Sequence, residues 1–255
     1  MPLEILTVPC LSDNYAFLAH DPETRHTTLI DAPEAAPILA ALSARGWSLD
    51  QVLLTHHHYD HIDGLAGLQE HHTPKVVGAK ADAHRLPALD QMVSAGDTVT
   101  MGSETGSVLD VSGHTIGHVA FHFTGAKAVF TADSLMALGC GRLFEGTPAQ
   151  MWASLSLFLD MPDDTVVYSG HEYTEANGRF AATIEPDNQA LKDRITAIAA
   201  ARAEGRPTVP SLLGLEKATN PFLRAPLSEV KQAINMGDAT DVDVFTEIRR
   251  RKDNF

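Results

Sequence analysis

Residues 55–61 read T-H-H-H-Y-D-H, which gathers His56, His58, Asp60 and His61 into one short segment. Imidazole and carboxylate at this density suit a divalent ion such as Zn²⁺ or Fe²⁺, and they exclude the all-oxygen cages of Mg²⁺ or Ca²⁺. His56 and His58 are two residues apart at the end of an apolar run, so in extended backbone both rings project to one side and His57 to the other. Asp60 and His61 lie around the bend, where they can serve a second ion. A lone histidine pair would read as a solvated turn. Four ligand residues in the order H-x-H-x-D-H, behind an apolar strand, read as a metal site.

Two ions need more ligands than this segment holds, and three further candidates stand at the ends of later apolar runs. His114 follows residues 108–113 in S-G-H-T-I-G-H, Asp133 follows 128–132 in F-T-A-D-S, and His171 follows 166–170 in Y-S-G-H-E-Y. A carboxylate between two cations bridges them at about 3.5–4 Å, the spacing of two-metal hydrolysis, and Asp133 is the bridging candidate. Such a pair of ions lowers the pKa of a water between them and polarises the group it attacks, which predicts hydrolysis. A free thiol has a pKa near about 8.5, so a thiolester releases its leaving group without a strong general acid. No spare Glu or His is committed to that task, which favours a thiolester over a peptide. His20, His26, His71, His72 and His84 read as surface residues, and His118 and His122 as structural histidines. Cys140 reads as a packed residue of the loop L-G-C-G-R.

The elements that position these residues follow from the apolar spacing. Short strand patterns over 5–8, 15–19 and 27–30, broken by Asp-Asn and Asp-Pro turns, predict a β-meander. Helical spacing over 33–45 stops at Gly46, and 51–55 reads as a buried strand ending in the histidines. A short helix is expected over 64–71, then strands near 75–78, 98–101, 107–111, 119–123 and 128–131. A helix over 148–159 and a strand over 165–168 follow. Beyond Tyr173 the pattern turns helical, with an amphipathic segment over 188–203, a loop over 207–226 and a last helix over 242–252. This places a boundary near residue 174.

Nineteen Lys and Arg against 33 Asp and Glu give a net charge of −14, which disfavours nucleic acid and anionic membranes as partners. An anionic ligand must therefore meet a local cationic site. Arg249 and Lys252 lie three apart on one face of the last helix and form such a patch. Two cysteines in 255 residues exclude a disulfide framework and point to a reduced, cytoplasmic compartment. No basic stretch precedes an apolar run at the N-terminus, and no segment has the length of a membrane span, so neither signal, anchor nor span is expected.

The ligand order resembles that of the metallo-β-lactamase superfamily. The resemblance implies an α/β fold, an αββα sandwich over residues 1–173, with His56, His58 and His114 holding one divalent ion, Asp60, His61 and His171 the other, and Asp133 shared. Asp60 and Asp133 would carry the catalytic role, with Zn, Fe or a mixed pair as cofactors. The segments L-G-C-G-R-L-F-E-G-T at 138–147, G-H-E-Y-T at 170–174 and R-R-R-K-D-N-F at the C-terminus are similar to the glyoxalase II family in particular. That similarity implies a helical glutathione-binding domain over 174–255 and hydrolysis of S-2-hydroxyacylglutathione, with S-D-lactoylglutathione giving D-lactate and glutathione in methylglyoxal detoxification. By position Arg142, Phe144, Tyr173, Arg249 and Lys252 would contact glutathione, and the chain would act as a monomer. Arg142 replaces the family's usual lysine, Phe144 a tyrosine, and Asp63 the first glycine of a Gly-Gly pair. A glutathione persulfide dioxygenase, using one iron held by two histidines and an aspartate, is the rival enzyme of the same superfamily. Other rivals are a β-lactamase, a nuclease and a metal-dependent binding protein.

Overall fold

A computed structural model describes residues 2–255, which form two compact units. The first comprises the chain up to residue 110 together with 116–132. It opens with the expected meander, β1 (Glu4–Cys10), β2 (Asn14–Asp21) and β3 (His26–Ile30), paired antiparallel. After α1 (Ala35–Arg45) the chain returns as β4 (Gln51–Leu54), parallel to β3. Two short helices, α2 (Tyr59–Ile62) and α3 (Leu65–Gln69), precede β5 (Lys75–Ala79) and β6 (Gln91–Val93), which extend the sheet in parallel. A second sheet carries β7 (Thr98–Met101), β8 (Glu104–Asp110), β9 (Val119–Phe123) and β10 (Ala128–Ala132), each paired antiparallel with the next.

Both β2 and β4 are buried along their whole length, because each is covered on two faces. On one side Ile38, Leu42 and Leu68 of the helices pack with Leu18, Leu29, Val52 and Val76 of the strands. On the other the two sheets meet, with the rings of Phe17 and Phe130 centred 6.0 Å apart and Gln51 Nε2 donating to Thr100 O at 2.7 Å. Helix α1 ends where the sequence places its stop. Gly46 takes a left-handed conformation (φ 65°) and its N–H bonds Ser43 O, a glycine cap that costs a residue with a Cβ more.

The second unit comprises residues 111–115 and 133–255. A small hairpin, β11 (Leu135–Met136) and β12 (Gly139–Cys140), precedes α4 (Pro148–Ser156). Thr147 caps that helix in a reciprocal box with Gln150. Strand β13 (Val166–Ser169) leads to α5 (Thr174–Ile184) and α6 (Gln189–Ala203). Then β14 (Ser211–Leu212) pairs with β13 and runs into α7 (Leu213–Thr219), followed by α8 (Ser228–Ala233) and α9 (Asp241–Asp253). Phe180, Phe222, Phe245 and Trp152 make a chain of ring contacts through its interior. Among the described residues no helix is long and apolar enough to cross a membrane.

The stretch 207–226, expected as a loop, contains β14 and α7. Its periodicity is masked because the buried face of α7 carries Glu216 and continues into Asn220. Those polar groups are satisfied internally. Glu216 pairs with Arg194 of the buried face of α6, accepts from Ser211 Oγ at 2.6 Å and takes the N–H of Leu138 at 2.8 Å, while Arg194 also donates to Thr219 Oγ1 at 2.7 Å. Removing one partner of a buried ion pair strands the other charge and costs about 3–5 kcal/mol. Arg194→Ala is therefore expected to lower the unfolding free energy by about that amount in urea denaturation. Arg206→Ala, which removes the exposed pair with Glu204, should leave the urea midpoint where it is.

Candidate metal centre

In the first unit a single carboxylate organises the ligand segment. Asp31 follows β3 in left-handed backbone (φ 56°) and is 3% exposed. Its Oδ1 accepts the N–H of Thr55 at 2.8 Å, and its Oδ2 accepts the Thr55 hydroxyl at 2.8 Å. The same Oδ2 stands 2.8 Å from His61 Nδ1. Asp31 thus ties the ends of β3 and β4 to the buried ring of α2, and it turns His61 Nε2 toward Asp60 Oδ2 at 3.9 Å. The same rule that found Asp133, a polar residue ending an apolar strand, also describes Asp31 and is the signal by which it is legible.

His56 is completely buried, with Nδ1 3.0 Å from Thr55 Oγ1 and Nε2 3.1 Å from His58 Nδ1. The ring of His118 stacks on it, centroids 4.5 Å apart, so His118 supports the ring of this candidate ligand. Asp60 accepts from Asn14 Nδ2 at 3.0 Å, and the same amide bonds the Asp60 carbonyl at 3.0 Å. Asn14, unlike Asp31, is not singled out by any pattern in the sequence. His57 lies just beyond the end of β4, with its ring centred 5.0 Å from that of His58, and its Nδ1 stands 3.0 Å from Asp82 Oδ2. His20, expected on the surface, is buried against Trp47 with the rings stacked 4.4 Å apart.

The second unit brings together His114, Asp133 and His171. Asp133, 5% exposed, directs one oxygen, Oδ2, at both histidines: His171 Nε2 is 3.2 Å away and His114 Nε2 is 3.5 Å away. His114 Nδ1 lies 2.7 Å from the carbonyl of Arg142, which accepts the ring N–H and sets the tautomer that presents Nε2. The carbonyl of Asp133 and the ring of His114 also close on Gly141, where an added Cβ would stand 2.0 Å from Asp133 O and 2.9 Å from His114 Nδ1. Only glycine fits between them.

The residues expected to bind glutathione divide by exposure. Phe144 meets the ring of His114 edge-on at 5.3 Å, and Tyr173 stacks on that of His171 at 4.6 Å. Both remain substantially exposed, 62% and 39%, so the rings of His114 and His171 each have an aromatic neighbour open to solvent. Arg142 is exposed, with Nε 3.7 Å from Asp253 Oδ1. Lys252 is half-buried over Phe180 (5.2 Å) and Phe255 (5.4 Å). Burial, then the charges of Arg249 and Arg179, hold its ammonium below the usual lysine range. Arg249 differs from the exposed tail cation that the spacing suggests: it is 6% exposed and directed at Cys140 and Asp253. Burial pushes the Cys140 thiol up to about 11, which keeps it neutral and unsuited to nucleophilic attack.

The donor set fits divalent metal. In the first unit two ring nitrogens stand 3.1 Å apart, and in the second one carboxylate oxygen faces two more, each a converging group of metal-ligand type. Asp31, His56 and His61 alone place three ligand atoms within 4.8 Å of one another.

A profile of the metallo-beta-lactamase superfamily matches residues 23–171, and a profile described as the hydroxyacylglutathione hydrolase C-terminus matches 172–255. Over the full length of both chains this protein is 65% identical to a hydroxyacylglutathione hydrolase of Ruegeria pomeroyi and 61% identical to one of Cereibacter sphaeroides. Among solved structures, ETHE1 from Myxococcus xanthus superposes with a TM-score of 0.66 at 26% identity, covering 98% of this chain and 90% of that one. The structure of TTHA1623 in a di-iron-bound form superposes at 0.63 with 26% identity, covering 86% of this chain and 100% of the other. The fold is that of the metallo-β-lactamases with a C-terminal helical region, and the chain belongs to the hydroxyacylglutathione hydrolase family of that superfamily.

Proposed function

We propose that this chain is a metal-dependent hydrolase of S-2-hydroxyacylglutathione thiolesters, releasing glutathione and a 2-hydroxy acid, with S-D-lactoylglutathione as substrate. The observation that carries this reading is the match of residues 172–255 to the hydroxyacylglutathione hydrolase C-terminus. Metal ligands of this order are shared across a superfamily, whereas the helical tail is what sets a glutathione thiolesterase apart within it. The same match supports a division into a catalytic domain, 1–173, and a glutathione-binding domain, 174–255. Among the alternatives, a persulfide dioxygenase needs only two histidines and an aspartate; ligand-type residues beyond that set favour the hydrolase.

In this reading His56, His58 and His114 hold one divalent ion, Asp60, His61 and His171 a second, and Asp133 both. Zinc or iron suits these donors, and the di-iron-bound form of TTHA1623 supports two ions rather than one. When bound, such ions supply an activated water and polarise the thiolester carbonyl. The chain's own residues do the positioning. Asp31 and the Arg142 carbonyl fix the two rings they touch, so that neither must reorient on ligand binding. Phe144 and Tyr173 offer exposed aromatic surface beside ligand rings, and Arg142 and Lys252 supply the positive charge that a chain of net charge −14 otherwise lacks for glutathione's carboxylates. A thiolate leaves without a strong acid, so no further proton donor is required. Two buried free cysteines fit a reduced cytoplasm, and we take the working form to be a monomer that binds neither nucleic acid nor membrane.

Elemental analysis of protein purified without chelator and reconstituted with zinc should give two ions per chain; a plateau at one would refute the binuclear reading. Asp133→Asn should cost far more activity than His122→Asn at matched metal content, because an amide carries no charge to share between two cations. Equal residual rates would show the bridge to be elsewhere. A charge-assisted hydrogen bond contributes about 1.5–3 kcal/mol, so Lys252→Ala should raise KM for S-D-lactoylglutathione by about one to two orders of magnitude with kcat largely kept. A thiolester without the glutathione peptide should show no such penalty.

A further inference from the structure

The ladder between β4 and β5 ends with Leu54 opposite Gly78, and residues 55–58 then lead into α2. This stretch carries the candidate ligands His56 and His58 beyond the edge of the sheet, so other bonds must hold it. Thr55 is held at its backbone, its carbonyl accepting from Val119 N at 3.0 Å and its amide donating to Asp31 at 2.8 Å. His57 is held at its ring. A carboxylate only accepts, so His57 donates from Nδ1 to Asp82 Oδ2, 3.0 Å away. Asp82 closes the 3-10 turn Lys80–Asp82 behind β5 and is 2% exposed. Its Oδ1 takes both Nη2 and Nε of Arg85, at 2.5 Å and 3.2 Å. Its carbonyl accepts from Arg85 N at 2.8 Å and from Leu86 N at 3.0 Å, and Leu86 is seated in the core with Leu54 and Val76.

We propose that Asp82 is a positioning residue which, through the ring of His57, sets the place of the candidate metal ligands on either side of it, His56 and His58. The proposal rests on the metal-hydrolase reading above, and it gives a role to the one histidine of T-H-H-H that the ligand assignment leaves out. The fork from Arg85 already compensates the buried carboxylate, so what the bond at Oδ2 adds is the orientation of His57. The peptide bonds joining His57 to its neighbours are planar and leave two soft dihedrals per residue. A residue tied at its ring therefore narrows the directions in which the adjoining rings project. Those rings are close: His57 and His58 are centred 5.0 Å apart, and His56 Nε2 stands 3.1 Å from His58 Nδ1. With His57 released, the ion itself must gather two nitrogens that the fold now supplies in place, and the loss falls on metal affinity. Asp31 does the same work at Thr55, one residue before the first of these ligands.

The test compares Asp82→Ala, His57→Ala and the double variant in the full chain. Zinc affinity of the metal-free protein is measured by competition with a chromophoric chelator, and the visible spectrum of the cobalt-substituted protein reports the geometry of the ligands. Loss of a bond that orients a ligand weakens metal binding by about 10–100-fold. Each single variant should accordingly bind zinc at least about tenfold more weakly and shift the cobalt bands. The double variant should bind no more weakly than the weaker single one, because both changes remove the same bond. A residue that only supports the fold would lower the melting temperature and leave zinc affinity and the cobalt spectrum as they are. Wild-type zinc affinity in Asp82→Ala, or losses that multiply in the double variant, would overturn the proposal. If Asp82→Ala does not fold, Asp82→Asn decides: it keeps the volume but has one oxygen to share between Arg85 and His57. Weaker zinc binding with shifted cobalt bands then supports positioning, and wild-type affinity refutes it. Failure of the wild-type chain to cleave S-D-lactoylglutathione would remove the functional reading, while the chelator competition would still decide on Asp82.

Discussion

A buried carboxylate among imidazoles is the constraint around which this molecule is built. Asp133 Oδ2 lies 3.2 Å and 3.5 Å from two histidine nitrogens with almost no solvent, and Asp31 serves three donors in an equally dry place. Removing such an anion from water is costly unless fixed donors or cations replace the solvent. For Asp31 the donors are the protein's own: the Thr55 amide, its hydroxyl and a histidine ring. For Asp133 the neighbours are ligand-type nitrogens, which favour a cation among them. The two carboxylates divide the labour, one fixing backbone and ring, the other facing two nitrogens of metal-ligand type.

Most of the site was legible because its residues obey one rule, a polar side chain at the end of an apolar strand. That rule names His56, His58, His114, Asp133 and His171, and turn spacing adds Asp60 and His61. It reaches Asp31 as well, once the residue after Ile30 is read as part of the site rather than as a turn. Asn14 escapes it, because a side-chain amide that bonds Asp60 across 46 positions leaves no local trace. The fold was legible where apolar residues alone fill the interior, as in the meander and α1. It failed at α7, whose buried face is polar and becomes acceptable only through Arg194 on another helix. Hydrophobic periodicity cannot register a partner so distant in sequence.

The tail shows how spacing can mislead about exposure. Arg249 and Lys252 share a face of α9, yet one guanidinium is buried and the other cation lies over aromatic rings. A planar fork of donors suits a carbonyl, a carboxylate and a ring face together, which a lysine cannot match. Arg142 takes the opposite course, exposed and only loosely near Asp253, so its charge is available to an anion. Phe144, open at 62%, lacks a hydroxyl but keeps the ring that covers His114. What it retains is the apolar surface, and the hydrogen bond it lacks is one that an exposed phenol would have shared with water.

The departure at Asp63 has a similar physical resolution. The motif segment of the family commonly has two glycines here, and this chain keeps the second. Asp63 occupies ordinary right-handed helical backbone (φ −65°) and is exposed, a position that asks nothing special of its side chain. Gly64 is buried, and a Cβ there would lie 2.8 Å from Ala32 O and from the backbone of Glu34. Its N–H bonds Ala32 O at 2.8 Å, while the carbonyl of His61 accepts from Ala32 N at 2.7 Å. The close approach that seats α2 against the end of β3, and with it His61 against Asp31, therefore depends on Gly64 alone. A sequence departure beside a candidate metal ligand is tolerable when the backbone contact that sets that residue's place belongs to its neighbour.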